Sequence, residues 1–286
     1  MEKLRDELLS IVNSIPGNKG LYVHDMSSGE CIEINEQRRF HAASIIKIPI
    51  MYEALLQVQN KKYKLDDIFI LNDEEKVDGS GILHLLHDKC KLTLEDIITL
   101  MIDVSDNTAT NMMHDILDKD NINKSISKLG LNDTLFARKL MKVIPGLYSY
   151  TTARDIGILL EEFINCSVLS EKMAQKGMDI MYKQQYNDRL SAKLIECGSC
   201  GSYIGHLNTC PKCGAQTYDI DPSAVPFAHK TGSINGVLHD AGILTVNNKK
   251  IIIVCLTDNL SNDIDGCNMQ QEIGLAVYKY FKRENK

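Results

Sequence analysis

Residues 227–258 read FAHKTGSINGVLHDAGILTVNNKKIIIVCLTD, and this stretch decides the fold. Segments 227–231, 238–246 and 251–258 are short runs rich in apolar and β-branched residues, bounded by turn residues, and read as three strands. Asn247-Asn248 reads as a tight turn between the last two, because asparagine tolerates left-handed backbone. The same texture returns only at the other end of the chain. There, residues 20–26 and 31–34 read as strands joined by a Ser27-Ser28-Gly29 hairpin turn. Between these ends the apolar spacing is helical, over 44–60, 81–87, 94–103, 107–117, 122–129, 152–164 and 169–182. Leu4, Leu8, Ile11, Val12 and Ile15 predict a first helix over 4–15, stopped by Pro16-Gly17, and 269–282 predicts a closing amphipathic one. Strands at both ends and helices between them imply an α+β fold, α/β in the broad sense. It has one antiparallel sheet made from both chain ends, flanked by the terminal helices, with an all-helical domain inserted. The expected divisions are 1–40 with 223–286 for the sheet domain, 41–192 for the helical domain, and 193–222 for a further insertion. A cleft where sheet and helices meet is the expected small-molecule site.

Composition narrows the function. The chain has 286 residues, 44% hydrophobic and 24% charged, with 18 glycines and 6 prolines, which is ordinary for a globular protein and far from a disordered one. A net charge of −6, no tryptophan and 6% aromatic residues give neither a basic field nor stacking platforms, so no nucleic-acid partner is expected. The longest clean apolar run, 251–256, is far too short to span a membrane. The opening MEKLRDELLSIVNSIPG mixes both charge signs and breaks its apolar patch at Ser10, so no secretory signal is read and a cytoplasmic location is expected. Nothing argues for a second subunit, and a monomer is expected.

Three short motifs carry chemistry. Ser44-Ile45-Ile46-Lys47 is expected to open a helix, with Lys47 one turn from Ser44 and able to reach its hydroxyl. A lysine that loses its proton in a partly buried site can act as general base and turn that hydroxyl into a nucleophile. Ser105-Asp106-Asn107 lies between two predicted helices; its serine could relay a proton and its amide could hold a substrate carbonyl. Lys230-Thr231-Gly232 ends a predicted strand, offering a cation and a hydroxyl to a substrate carboxylate, while Gly232 permits close approach. The backbone N–H groups of Ser44 and Ser233 could form an oxyanion hole. Taken singly, Ser44 and Ser105 read as helix caps and Lys-Thr-Gly as a strand end. Together, and in this order, they have no such reading in common.

The set resembles the class A β-lactamases and penicillin-binding proteins. The likeness covers residues 18–185 and 223–284, with support from Phe40-His41-Ala42-Ala43-Ser44, Asp78-Gly79-Ser80-Gly81-Ile82-Leu83 and Thr151-Thr152. It implies a class A β-lactamase-like fold and a serine hydrolase working through an acyl-enzyme. Ser44 would be the nucleophile, Lys47 its base and Ser105 the relay. Lys230 and Thr231 would hold the carboxylate, with no cofactor for catalysis. The implied substrate is a small β-lactam or another amide or ester. The resemblance breaks at one place. The family's glutamate, which activates the deacylating water, lies eight residues before a proline. Counting back from Pro145 reaches Ala137, and the family's amide four residues later falls on Met141. No glutamate lies between Asp133 and Asp155. Lys47 could serve both steps, His239 or Tyr150 could substitute, or the acyl-enzyme could be long-lived as in penicillin-binding or DD-peptidase-like proteins. A non-catalytic sensor is the reading from another class. The family arginine that grips the substrate carboxylate is not evident either, since Leu238 and His239 occupy its stretch.

The nine cysteines divide into a scattered five, expected to be mostly buried reduced thiols, and a cluster. Cys197-Gly198-Ser199-Cys200 and Cys210-Pro211-Lys212-Cys213-Gly214 form two CxxC hooks nine residues apart, the ligand spacing of a zinc ribbon. Four thiolates suit a closed structural Zn²⁺ site; rubredoxin-like iron, a redox CxxC pair or disulfides are the alternatives. Lys193, His206 and Lys212 against Glu196, Asp219 and Asp221 give no basic patch. A short metal-stapled flap is expected, with the sharper possibility that it roofs the cleft.

Overall fold

The computed structural model describes residues 1–195, 199–200, 209–210, 212–215 and 225–283. In chain order the elements begin with α1 (Glu2–Val12), β1 (Asn18–Asp25), β2 (Cys31–Ile34) and β3 (Phe40–His41). Then come α2 (Lys47–Gln59), β4 (Ile68–Ile70), β5 (Lys91–Thr93), α3 (Leu94–Asp103), α4 (Asn107–Leu117) and α5 (Lys119–Lys128). They end with β6 (Tyr150–Thr151), α6 (Ala153–Asn165), α7 (Glu171–Met181), β7 (Phe227–Ile234), β8 (Val237–Val246), β9 (Lys249–Asp258) and α8 (Asp263–Arg283). The main sheet has the order β2-β1-β9-β8-β7 and every pairing is antiparallel, so both chain ends build it.

The sheet is buried on both faces, which explains the continuous apolar run in β9. Ile252, Val254 and Leu256 join the core shared with α2, α3, α4, α6 and α7. Ile251, Ile253 and Cys255 alternate with them and pack under α1 and α8, against Leu4, Leu8, Ile273 and Phe281. Strand β7 is the edge that is left over, and it faces the segment carrying Ser44.

Several expectations need correction. Ser44 does not open α2 as its cap. It sits in a 3₁₀ turn, Ala43–Ile46, entered through Ala43 at φ +43°, and α2 begins at Lys47. Residues 81–87 are not a helix beyond the turn Leu83–Leu85, because the Asp106 carboxylate takes the N–H groups of Ile82 (2.7 Å) and Leu83 (2.8 Å). The last helix starts at Asp263, six residues early. The small sheets β3–β6 and β4–β5 have no periodic signal in such short strands. Of the five scattered cysteines only Cys255 is buried; Cys31 is exposed, and Cys90, Cys166 and Cys267 are half-buried. Among the described residues no helix is long and apolar enough to cross a membrane.

Candidate active site

Lys47 is the centre of the site. Its side chain is fully buried at the start of α2, and its Nζ lies within hydrogen-bond distance of Ser44 Oγ (3.1 Å), Ser105 O (2.6 Å), Ser105 Oγ (3.0 Å) and Asn107 Oδ1 (3.0 Å), one more oxygen than an ammonium has N–H groups. Burial lowers its ammonium to about 7, against a smaller opposing pull from Asp106. Near neutral pH the amine is therefore partly unprotonated, with the Ser44 hydroxyl in reach.

The Ser105 loop is held by its neighbours. Ser105 takes φ +55°, and Asp106 caps α4 by accepting the Ala109 N–H at 2.8 Å. Asn107 donates from its backbone to Ser80 O (3.0 Å) and from its amide to Asp78 O (3.3 Å), so segment 78–83 and α4 form one wall.

Lys230, on β7, is also fully buried, and its Nζ donates to Thr231 O at 2.8 Å. Burial first, then Lys47 and Arg189, push its pKa well below the ordinary lysine value. Ser44, Asn107 and Ser233 share one cavity of about 230 Å³ with Leu140, Met141 and Ile234. Lys230, Thr231 and Gly232 are not among its lining residues, although they directly precede Ser233 on the same edge strand, β7. A Cβ on Gly232 would stand 3.1 Å from the backbone nitrogens of both Ser44 and Ile45. Gly232→Ala should therefore push β7 off the Ser44 N–H. We expect acylation to fall about 10-fold or more with the fold retained, read as adduct formation rate against melting temperature.

Sequence reasoning missed Arg189. Its guanidinium is buried and donates to Gly232 O (2.8 Å), His239 O (2.6 Å) and Ser233 Oγ (2.5 Å). It is a buried cation bonded to the strand that ends in Lys-Thr-Gly, although it is not among the residues lining the Ser44 cavity. No periodic pattern marks it, because it lies in irregular chain between α7 and the cysteine hooks. Asn111 was missed too, although it stands four residues after Asn107 on α4 and so on the same helix face. Its amide accepts the Leu140 N–H (2.8 Å) and donates to Leu140 O (3.1 Å).

That pairing corrects the reading of the glutamate position. Ala137 is drawn inward, its N–H donating to Ser149 Oγ at 3.1 Å, and it does not line the cavity; Leu140 does. Counting along the sequence assumed the family's loop length, whereas the register here is set by Asn111. Neither proposed substitute lies in the cavity lining. His239 is buried within the fold, its Nε2 donating to His41 O (2.8 Å) and its Nδ1 accepting the Thr257 N–H (3.1 Å). Burial lowers its pKa to about 4, so it is a neutral structural link. Tyr150 sits in β6 beside a neighbouring cavity. His41 does line the Ser44 cavity, but its Nδ1 accepts the Ala43 N–H (3.0 Å). The neutral ring then carries its proton on Nε2 and is a donor there.

The cysteine hooks are described in part, and Cys197 lies outside the described residues. The sulfurs of Cys200, Cys210 and Cys213 lie within 4.8 Å of one another, with Cys200 and Cys210 at 3.6 Å. A tetrahedron of thiolates at the usual zinc–sulfur length has edges of about 3.8 Å. The second hook is a closed turn, with Gly214 N–H donating to Cys210 O and Cys210 N–H to Ala215 O, each at 2.9 Å. The residues present fit a thiolate-bound metal.

A half-buried serine beside a fully buried lysine, a second serine and an edge strand on an α+β scaffold of this topology define a class A-type serine β-lactamase-like hydrolase. The sequence model of the beta-lactamase enzyme family matches residues 3–281, and the chain belongs to that family. Among solved structures it is similar to a beta-lactamase from Sphaerobacter thermophilus DSM 20745, at 26% identity over 98% of both chains with a TM-score of 0.83. It shares its fold with PBP-A, at 24% identity over 99% of this chain and 97% of that one and a TM-score of 0.81. It also shares it with TLA-3 extended-spectrum beta-lactamase, at 18% identity over 99% of both chains and a TM-score of 0.82. No curated protein matches the chain.

Proposed function

We propose that Ser44 is acylated by a β-lactam, or by a related small amide or ester, and that release of the acyl group is the slow half of the reaction. The observation that carries this is the Lys47 amine, buried, lowered to about 7, and in hydrogen-bond range of both Ser44 Oγ and Ser105 Oγ. Lys47 Nζ takes the Ser44 proton as Oγ bonds to the substrate carbonyl carbon. The Ser44 N–H, with that of Ser233, receives the oxyanion. The C–N bond then breaks, and the leaving nitrogen is protonated through Ser105 Oγ, which is resupplied by Lys47. Lys230, Thr231 and Arg189 make the β7 edge attractive to a substrate carboxylate, and Asn107 orients the acyl amide.

Slow release is supported by the cavity lining, in which His41 and Arg138 are the titratable groups and no carboxylate appears among the described residues. A variant of the fold relative PBP-A has been solved as an acyl-enzyme with penicillin G, in keeping with this chemistry. The cysteine hooks are read as a structural Zn²⁺ ribbon held by Cys197, Cys200, Cys210 and Cys213. Bound there, the ion would supply cross-linking and no chemistry at Ser44.

Intact-mass measurement with a penicillin over time, with Ser44→Ala as control, tests the reading. The expected result is an adduct on the native chain that persists over many minutes and is absent from the variant. No adduct with either penicillins or cephalosporins would overturn the β-lactam assignment; rapid clearance with drug hydrolysis would overturn the slow second half.

A further inference from the structure

The thiol cluster and the Ser44 cavity are the two ends of one short stretch of chain, residues 187–195. At one end Arg189 grips Gly232 O and Ser233 Oγ on the edge strand β7. At the other, Ile195 is buried against Cys210, with Cys200 and Ala215 packed around them. The residues between are hydrogen-bonded step by step. Leu190 N–H donates to Asp240 Oδ2 (3.1 Å), Ala192 N–H to Arg189 O (3.0 Å) and Leu194 N–H to Ser191 O (3.1 Å). The Asp240 carboxylate also meets His229 Nδ1 (2.8 Å), and the other ring nitrogen of His229 meets Asn187 Oδ1 (3.0 Å). Helix α8 closes over the stretch so tightly that a Cβ on Gly274 would come within 1.9 Å of Leu190 O.

This docking has a weak point at each end. The Arg189 guanidinium is removed from water, and its Nε has no hydrogen bond among the described residues and only a long ion pair to Asp188 Oδ1 at 3.8 Å, so the docked state carries a desolvation cost. At the cluster end the described residues pack as a small group, Ile195 and Cys210 with half-buried Cys200 and Ala215. A piece that small holds its shape through a cross-link and not through burial. With the thiolates gathered on an ion, Ile195 is fixed and residues 189–195 are tethered at both ends. Without the ion the stretch keeps the Arg189 hydrogen bonds, the Leu190 N–H to Asp240 and the buried Leu190 and Leu194, but it loses its tether at the Ile195 end, and a segment held at one end opens before one held at both.

The geometry points to a metal-gated clamp: an ion held by the cysteine cluster keeps Arg189 docked on Gly232 and Ser233, and loss of the ion releases it and slows acylation at Ser44. The inference rests on the acylation reading only for its activity readout. Docked, Arg189 donates to the Ser233 oxygen, so the Ser233 hydroxyl proton is free to point into the cavity toward an anionic substrate group. Released, it no longer orients that hydroxyl, and its positive charge leaves β7.

The test compares zinc-loaded protein with protein stripped by a chelator, metal content being read by native mass spectrometry. Amide hydrogen exchange across 187–195 should be about 10-fold or more faster in the stripped protein, with Ile97 and Ile98 of α3 unchanged. Acylation by a penicillin should fall by a similar factor on stripping. Arg189→Ala should be equally slow when loaded and should no longer respond to the metal. Cys213→Ser, at the exposed tip of the second hook, should reproduce stripping without chelator. Exchange that is unchanged after metal loss, a protein that takes up no metal, or an Arg189→Ala variant still sensitive to zinc would each overturn the clamp. If Ser44 takes no acyl group in any sample, the acylation reading fails, and the exchange data still decide the clamp.

Discussion

Lys47→Met is expected to slow acylation of Ser44 by about 10³-fold or more, because it removes the general base and nothing else in the cavity can replace it. Methionine nearly matches the lysine stem in volume, so packing in the surrounding core is kept. Two effects on stability oppose one another. Ser105 O and Asn107 Oδ1 lose their donor, which costs about 1–3 kcal/mol for buried acceptors left alone. Against that, the cost of burying an amine disappears. The native protein should show an acylation rate that rises as pH passes through about 7 and then levels, since the neutral amine is the active form and burial has lowered its proton affinity to that value. The same shift has a stability consequence. Between about 7 and the ordinary lysine value the unfolded chain binds a proton that the folded chain does not, so stability contributed by this group grows as pH rises through that window. Lys47→Met should flatten that part of the profile, leaving the contribution of Lys230. Acylation rates measured by intact mass between about pH 6 and 8 check the claim, and a flat profile in the native protein would remove Lys47 as base.

What was legible in the sequence follows from where periodicity and short-range chemistry rule. The strands of 227–258 were readable because β9 is buried on both faces and must be apolar throughout. Helices α3 and α4 were readable to the residue, because Thr93 and Asp106 cap them with side-chain oxygens. Ser44, Lys47, Ser105 and Asn107 were readable as motifs, and the fold brings them within hydrogen-bond distance of one amine. The rest depends on contacts between segments with no shared pattern. Arg189 reaches β7 from irregular chain 43 residues away in sequence. The cavity-facing position of the 138–150 loop is chosen by Asn111 on α4 and by Ser149, not by distance from Pro145. In such a loop one residue of slip changes which side chain meets the substrate, and no count along the chain can see it.

That loop yields the second large effect. Leu140→Glu should speed clearance of the acyl group from Ser44 by about 100-fold or more, turning a persistent adduct into turnover. Residue 140 lines the Ser44 cavity, and its backbone is held on both sides by the Asn111 amide, so a carboxylate placed there inherits a fixed position. The nearby His41 can donate its Nε2 proton to the same water or carboxylate, while Arg138 adds a positive charge to the cavity wall. A general base needs this kind of positioning more than it needs a particular pKa, because proton transfer requires hydrogen-bond range. The control is Ala137→Glu, the position that sequence counting selects. Ala137 is buried and its N–H is committed to Ser149 Oγ, so a glutamate there places an unpaired charge in the core. It should cost about 3 kcal/mol or more in stability and leave deacylation unchanged in whatever fraction folds. Adduct decay by intact mass, paired with thermal melting, separates the two. If Ala137→Glu clears the adduct and Leu140→Glu does not, the register set by Asn111 is wrong and the loop must be rebuilt around Pro145. If neither clears it, the missing element is not the base but a site for the water itself, and the apolar wall formed by Met141 and Ile234 becomes the part of the cavity that holds release back.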